Sequence, residues 1–299
     1  MLKRILLFGN PYHLSSKNEQ LLIFNKEDKS EKTTPAEDLG VVVLDHYSIT
    51  LTHGVVQLLN EHNVAMVFCN KKHMPISLLL PLEHHYIQNK RFQLQINASV
   101  PLKKDLWKQV VRQKIANQAT LLSELGIESA KLKRLCKEVK SGDSMNLEAQ
   151  AARHYWPHLF GDKEFSRERF GKPPNLFLNY GYAILRATVA RSLVAAGLLP
   201  TLGIHHRNKY NAYCLADDMM EPYRPYVDKL VSMEYDNGIM LGTQLTKDHK
   251  SSLLGVMFQD VMIKKQTSPL MVAVQFTCNS LVKCLERKTK NLDLPVMDG

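Results

Sequence analysis

Residues 205–225 read HHRNKYNAYCLADDMMEPYRP, which gathers two histidines, three carboxylates and three cationic side chains within about one helix and its leading loop. Asp218 and Glu221 lie three residues apart, so on a helix that begins near Asp218 both carboxylates project to the same side and can approach one cation. Hard oxygen ligands suit magnesium or manganese, and an added imidazole favours manganese without excluding magnesium. The structural alternative is an acidic helix N-terminus that the helix dipole favours.

Two histidines, His205 and His206, precede this helix in a polar loop. Loop histidines in that position are candidates for a metal ligand or a general base, although a lone exposed histidine usually has neither role. Three cations, Arg207, Lys209 and Arg224, lie among the carboxylates. Phosphodiester chemistry requires this combination, because a metal polarises the phosphoryl oxygen while cations neutralise the charge that develops in the transition state. The stretch therefore predicts a divalent metal held against a nucleic-acid phosphate.

The first part of the chain predicts a small domain built mainly from strands. Apolar runs up to about residue 82 are short and separated by polar turns, which is the pattern of strands, and one amphipathic helix over residues 52–61 interrupts them. Beyond residue 84 the clean alternation is lost. We therefore assign residues 1–85 to a mainly β domain and residues 86–100 to a linker.

From Pro101 onward the apolar residues recur at helical spacing. The longest apolar helix, over residues 176–198, is the expected hub of this part of the chain. Residues 147–160 and 246–263 read as further helices, the first of them capped by Asn146. We expect an α-helical catalytic domain over residues 101–299, so the fold class is α+β: a small N-terminal β-sheet domain followed by a larger, all-helical catalytic domain.

The balance of charge favours an anionic partner. The chain has 39 Lys and Arg against 29 Asp and Glu, a formal net charge of +10, which attracts nucleic acid or an anionic membrane surface. Simple solubility is the alternative. Much of the excess lies on two predicted helices, at Lys103, Lys104, Lys108, Arg112, Lys114, Lys131, Lys133, Arg134, Lys137 and Lys140. A run of charges is usually a solvated face, so these side chains are predicted to contact DNA only if another feature requires DNA.

Composition argues against several other classes. The five cysteines are odd in number and widely spaced, which supports neither a zinc ribbon nor a disulfide framework, and they are typical of a reducing compartment. No apolar run approaches the roughly 20 residues that a membrane-spanning helix needs, and no signal-peptide pattern follows the first residues. We therefore expect a soluble, cytoplasmic protein without a membrane partner.

Three blocks of sequence resemble, in order, the motifs of one family. They are residues 148–161 (EAQAARHYWPHLFG), residues 175–185 (NLFLNYGYAIL), and His206 followed by residues 215–225 (LADDMMEPYRP). Any one block is weak, but together they resemble the CRISPR-associated integrase, the metal-dependent enzyme that inserts new spacers into a CRISPR array. The resemblance extends over essentially the whole chain, which is most similar to the type II members.

The resemblance implies a set of metal ligands. The family's glutamate, histidine and second acidic residue fall on Glu148, His206 and Glu221, and Asp218 matches a further acidic position beside them. Because the family histidine lies about fifteen residues before the last acid, the resemblance selects His206 and leaves the role of His205 open.

Other residues are implied to support this site. Asn175 and Tyr180 match a motif of the long helix that positions the active site. The basic side chains expected to contact DNA phosphates are Arg167, Arg169, Arg207, Lys209 and Arg224.

The resemblance also implies a reaction and partners. With Mn²⁺ or Mg²⁺ bound, the site is expected to activate the 3′ hydroxyl of a short DNA fragment, the spacer precursor. In-line attack on a repeat phosphate then joins the two and releases another 3′ hydroxyl, and water as the nucleophile would make the site a nuclease. The family implies a homodimer formed through the β domains, with two such dimers flanking a small companion dimer in a hetero-hexamer. Two alternatives stay open: a stand-alone metal-dependent nuclease that acts on branched DNA, and a basic scaffold that binds DNA without catalysis.

Overall fold

The computed structural model describes residues 3–168 and 171–298, and the chain divides into two compact units, Met1–Gln88 and Asn89–Gly299. The first unit is mainly β and the second mainly helical, which confirms the predicted order of an N-terminal β-sheet region and a helical C-terminal region. Over the residues described, no helix is long and apolar enough to cross a membrane.

The first unit contains two four-stranded sheets and a helix. Its elements are β1 (Arg4–Phe8), β2 (Tyr12–Lys17), β3 (Gln20–Asn25), β4 (Glu31–Pro35), β5 (Leu39–Leu44), β6 (Thr50–Leu51), α1 (His53–Glu61), β7 (Ala65–Cys69) and β8 (Pro75–Leu79). One sheet has the order β4-β3-β2-β6 and the other β1-β5-β7-β8, in which β1, β5 and β7 are parallel and β8 is antiparallel. β5 reads LGVVVL and is buried throughout, as expected of a strand that is covered on both faces.

A single apolar core joins these sheets. Leu14 and Leu21 of one sheet pack in the same cluster as Val42 and Met66 of the other, together with Leu59 of α1. No catalytic residue is predicted in this unit, and each predicted metal ligand lies in the second unit.

The second unit is built around α6. Its helices are α2 (Gln88–Ile96, which begins at the last residue of the first unit), α3 (Val100–Glu124), α4 (Ala130–Glu138), α5 (Leu147–Leu159), α6 (Asn175–Ala195), α7 (Cys214–Met220), α8 (Arg224–Asp236), α9 (Lys247–Gly255) and α10 (Leu270–Leu285). α6 contacts α7, α8, α9 and α10 and is buried along most of its length, which confirms its prediction as the hub.

The second unit also contains a two-stranded hairpin, which the prediction of an all-helical domain did not include. The helix predicted over residues 246–263 is wrong in its second half, because α9 ends at Gly255 and β9 (Asp260–Ile263) then pairs antiparallel with β10 (Gln266–Pro269). The turn between them is Lys264-Lys265, with φ of 53° and 61°. Two-residue turns with positive φ normally carry Asn or Gly, so the sequence holds no ordinary signal for this hairpin.

The segment predicted as a linker also contains structure. α2 lies within it and reads QNKRFQLQI, and of its side chains only Gln95 is buried. A helix this polar has no apolar stripe of the kind that predicts a helix from sequence.

Candidate active site

Glu148 is fixed by a capping interaction at the start of α5. Asp143, in the 3₁₀ turn Ser141–Asp143, accepts hydrogen bonds from the backbone N–H groups of Leu147 (2.8 Å) and Glu148 (3.0 Å), which satisfies two of the free donors at the helix start. The predicted cap, Asn146, is wrong: it makes no side-chain capping bond and has a left-handed backbone with φ 51°.

Glu148 and Glu221 meet at one cation, the ammonium of Lys114 in α3. Lys114 Nζ lies 2.6 Å from Glu148 Oε1 and 2.5 Å from Glu221 Oε2. The side chains of Lys114 and Glu221 are only 13% and 5% exposed, so solvent screens this pair weakly. Lys114 was predicted to lie on an exposed basic face, and that prediction is wrong because a row of lysines does not reveal which one turns inward.

Opposite charges keep these buried groups ionised. Burial raises the pKa of Glu221, but the charges of Arg224 and Lys114 lower it by more, so the pKa lies below its ordinary value. Arg224 Nε lies 2.9 Å from Glu221 Oε1. Burial lowers the pKa of Lys114, and the charges of Glu221 and Glu148 outweigh that effect and raise it.

Asp218 orients the histidine predicted as a metal ligand. The Asp218 carboxylate is fully buried and accepts hydrogen bonds from the backbone N–H groups of Ile204 (2.7 Å), His205 (3.0 Å) and His206 (3.2 Å). Its Oδ1 also lies 2.6 Å from Nδ1 of His206, and this hydrogen bond raises the pKa of His206 against the effect of burial. An imidazole whose Nδ1 is held by a carboxylate presents Nε2 to a metal.

Gly203 permits this tight arrangement of loop and carboxylate. A Cβ at position 203 would lie 2.3 Å from the carbonyl oxygen of His206 and 2.9 Å from Asp218 Oδ2, closer than side-chain atoms pack. The glycine is the one local sequence signal that the loop folds back onto the helix.

His205 packs against an aromatic side chain that the sequence analysis did not connect with the site. Its ring stacks on Trp107 of α3, with centroids 4.1 Å apart and an interplanar angle of 1°, and the ring of His206 meets the same indole edge-on at 5.5 Å. Burial lowers the pKa of His205, as does the neighbouring His206. His205 therefore supports the wall beside His206.

A cavity of about 140 Å³ lies beside Glu221, lined by Lys114, Gln118, Trp156, Arg167, Tyr182, Glu221, Arg224 and Asp228. The guanidinium groups of Arg224 and Arg167 lie 4.5 Å and 5.0 Å from the centroid of the Tyr182 ring. Arg167 also donates to Oδ1 of Asn175 (2.7 Å) and of Asn179 (2.8 Å). The guanidinium groups of Arg224 and Arg167 are thus both fixed by contacts with neighbouring side chains.

The remaining predicted residues differ in their surroundings. Asn175 is 6% exposed and donates to the carbonyl of Ser166 (2.9 Å) while it accepts from Arg167, and Tyr180 is fully buried in α6. Arg207 and Lys209 are exposed on the loop after His206. Arg169 lies outside the described residues.

The donor set fits a hard divalent cation. Two carboxylates already converge on one positive charge, and carboxylates with an imidazole are ligands that manganese and magnesium sites use. Among residues 3–168 and 171–298, no three His, Cys, Asp or Glu side chains are grouped so that they could hold a metal as they stand. The ammonium of Lys114 takes the place between Glu148 and Glu221.

Known proteins share both the sequence and the fold. Residues 5–267 match the family model described as CRISPR associated protein Cas1. The chain is 38% identical over 295 residues to the CRISPR-associated endonuclease Cas1 of Neisseria meningitidis serogroup C (strain 8013), covering 98% of this chain and 95% of that relative. It is 27% identical to CRISPR-associated endonuclease Cas1 2 of Saccharolobus solfataricus, over 75% of this chain and 72% of that relative.

Two solved structures have the same fold at lower identity. A casposase bound to integration product matches with a TM-score of 0.81 at 20% identity, covering 98% of this chain and 93% of that one. A CAS1 protein from Thermotoga maritima matches with a TM-score of 0.76 at 17% identity, covering 95% and 97%.

These matches define the class as a CRISPR-associated enzyme with an N-terminal β-sheet unit and a helical unit. The chain belongs to the CRISPR-associated protein Cas1 family, and the family resemblance of the three sequence blocks is thereby confirmed.

Proposed function

We propose that this protein is a metal-dependent DNA integrase and endonuclease of CRISPR adaptation, which inserts short DNA fragments as new spacers into a repeat array. The observation that carries the proposal is the convergence of Glu148 and Glu221 on one cation, in the same unit as an imidazole that Asp218 orients through Nδ1. A protein that only binds DNA does not need two carboxylates buried at one point. Burying like charges together costs free energy, so the arrangement indicates a function.

Glu148, His206 and Glu221 are the residues that would hold the metal, either Mn²⁺ or Mg²⁺. A divalent cation bound there supplies Lewis-acid catalysis at a phosphate. Asp218 then acts on the site through His206, because four donors already engage its two oxygens.

The predicted DNA contacts divide into two groups by their surroundings. Arg207 and Lys209 are exposed beside His206 and are placed to contact backbone phosphates directly. Arg224 pairs with Glu221 and Arg167 with Asn175, so we propose that these two cations support the walls of the cavity and add positive potential there. The proposed DNA contact of Arg169 rests on the sequence resemblance alone.

The proposed assembly follows the family. One matching solved structure is a Cas6-RT-Cas1–Cas2 complex, with a TM-score of 0.74 at 20% identity over 97% of this chain and 35% of that one. We propose a homodimer formed through the β units, and a hetero-hexamer in which two dimers flank a small companion dimer. DNA, as spacer precursor and as repeat, is the substrate.

An integration assay tests this function. Supercoiled repeat DNA, a labelled fragment, the companion subunit and Mn²⁺ should give a joined product, and E148Q, H206A and E221Q should each lower its rate by at least about 100-fold. The matched control is E61Q, which removes the same charge from an exposed site on α1 and should keep the rate within about twofold of the unaltered protein.

The outcomes separate the proposed function from its alternatives. Cleavage of branched DNA without joining identifies a stand-alone nuclease. Full activity in the three site variants removes the metal-site hypothesis, and DNA binding without any reaction identifies a scaffold.

A further inference from the structure

Lys114 occupies the position at the centre of the proposed metal site. Its ammonium contacts the carboxylates of Glu148 and Glu221 from α3, at 2.6 Å and 2.5 Å, and these carboxylates belong to different elements, α5 and the 3₁₀ turn Glu221–Tyr223. One largely buried side chain therefore joins two of the three proposed ligands.

We propose that Lys114 is a positioning residue that holds the ligand carboxylates together in the metal-free protein and is exchanged for the divalent cation when the site loads. This inference rests on the proposed function, because it assumes that Glu148 and Glu221 are metal ligands.

The two carboxylates need a shared cation because they repel each other. Two carboxylates that face the same point in a buried site repel each other strongly, and they stay ionised and close only if a cation compensates them. Glu221 has a second cation in Arg224, at 2.9 Å. Within the described part of the chain, Lys114 is the cation that contacts both Glu148 and Glu221.

The same contacts oppose metal binding. A divalent cation between Glu148 and Glu221 would share that space with the ammonium, and at such distances like charges repel strongly in a poorly solvated site. Both ion pairs of Lys114 must therefore break when the metal enters. The lysine stem is flexible and its side chain is 13% exposed, so the ammonium can swing away toward solvent without unfolding α3.

Lys114 thus determines how closely the two carboxylates are held in the metal-free protein. It also determines how tightly the site binds a metal. A neutral side chain at this position removes the competing charge, so the metal should bind more tightly. The same change leaves two carboxylates without their shared cation, so the metal-free protein should be less stable.

The test measures Mn²⁺ binding to the full-length protein by calorimetry and by the loss of the free Mn²⁺ electron paramagnetic resonance signal. K114M should lower the dissociation constant for Mn²⁺ by about 10-fold or more, within the usual range of coupling between sites. K114M should also have a lower melting temperature than the unaltered protein without metal, and saturating Mn²⁺ should raise that temperature by more than it does in the unaltered protein.

Two further variants complete the design. K114R keeps the positive charge and should keep an affinity near that of the unaltered protein. K108M removes one charge from the same helix, where Lys108 pairs with the partly exposed Asp105, and it should leave the dissociation constant unchanged. If K114M unfolds without metal, refolding by Mn²⁺ alone supports the proposal.

Failure takes two distinguishable forms. An unaltered or weaker Mn²⁺ affinity in K114M, with normal binding by the unaltered protein, overturns the role of Lys114 and leaves the proposed function intact. An absence of Mn²⁺ binding in both proteins overturns the metal site itself.

Discussion

At the scale of single residues, Asp218 shows how one buried carboxylate shapes the candidate site by holding a loop and an imidazole. Both of its oxygens accept hydrogen bonds, three from consecutive backbone N–H groups of the loop and one from His206. These bonds fix the path of the loop and the orientation of the imidazole together. We therefore propose that Asp218 acts on the proposed metal ligands by positioning His206.

Asp218→Asn tests this role. An amide has only one acceptor oxygen, and its NH₂ group would face backbone donors, so we expect a loss of about 2 kcal/mol or more in the free energy of unfolding. Because a neutral amide holds Nδ1 of His206 less strongly than the carboxylate does, Mn²⁺ affinity should fall by about 10-fold to 100-fold. Urea unfolding and calorimetric titration measure the two effects.

The neighbouring carboxylate provides the control for this change. Asp217 pairs with Arg186 at 2.6 Å and accepts from Asn211 at 2.7 Å, so D217N should leave Mn²⁺ affinity nearly unchanged. Equal losses of affinity in the two variants would contradict the positioning role of Asp218.

At the scale of helices, α3 shows what sequence alone could not predict. Trp107, Lys114 and Asn117 are seven and three residues apart and so lie on one side of the helix. Trp107 packs on His205, Lys114 joins the two glutamates, and Asn117 Nδ2 donates to the carbonyl of Pro222 (2.8 Å). α3 therefore supports most parts of the candidate site.

The features that could be predicted leave a local pattern in the sequence, and the features that were missed do not. Periodic apolar residues revealed α6, and the motif blocks indicated Glu148, His206 and Glu221, which the fold places in one unit. Buried polar residues interrupt the apolar face of α3, so Lys114 resembled its exposed neighbours. Which lysine turns inward depends on charges more than thirty residues away along the chain, and no local pattern encodes that contact.

Three helices meet at a second buried carboxylate. Asp228 of α8 accepts hydrogen bonds from the hydroxyl groups of Tyr155 in α5 (2.9 Å) and Tyr182 in α6. Burial raises the pKa of Asp228 from 3.8 to about 6, although the two tyrosines and the charges of Arg167 and Arg224 act in the opposite direction. Ionisation of this group is thus linked to the packing of α5, α6 and α8.

The raised pKa predicts a specific dependence of stability on pH. As the pH rises, the unfolded chain releases the Asp228 proton near pH 3.8 and the folded protein near pH 6. The contribution of Asp228 to the free energy of unfolding is therefore complete below about pH 4 and is lost as the pH rises through 6. The loss should be about 3 kcal/mol.

Urea unfolding of the unaltered protein and of D228N, between about pH 4 and pH 7, measures this contribution. The amide of D228N does not titrate and can accept from one tyrosine and donate to the other, so the stability of the unaltered protein relative to D228N should fall across this range. D236N, at the exposed end of the same helix, is the control for removing one carboxylate from α8. A constant difference for D228N would show that Asp228 does not titrate in this range.

At the scale of the whole molecule, the basic excess belongs to one unit. Met1–Gln88 contains 8 Lys and Arg against 9 Asp and Glu, and Asn89–Gly299 contains 31 against 20, so the two carry formal net charges of −1 and +11. The unit that holds the proposed metal ligands is therefore also the one that attracts phosphate. The sequence-wide charge of +10 understates this separation.

The exposed face of α4 is the part of this unit in which we expect phosphate contacts outside the site. Leu132 and Leu135 are buried, whereas Lys131, Arg134 and Lys137 are exposed. Replacing these three cations with alanine should weaken binding to duplex DNA and reduce the slope of log affinity against log salt by about 2 to 3, since each lost phosphate contact removes roughly 0.9. Fluorescence anisotropy over a range of salt concentrations measures the slope.

The control is the triple alanine variant of Lys17, Lys71 and Lys72, which removes three exposed cations from the first unit and should change the slope by less than about one. Equal slopes for the two triple variants would mean that net charge, and not the face of α4, determines binding.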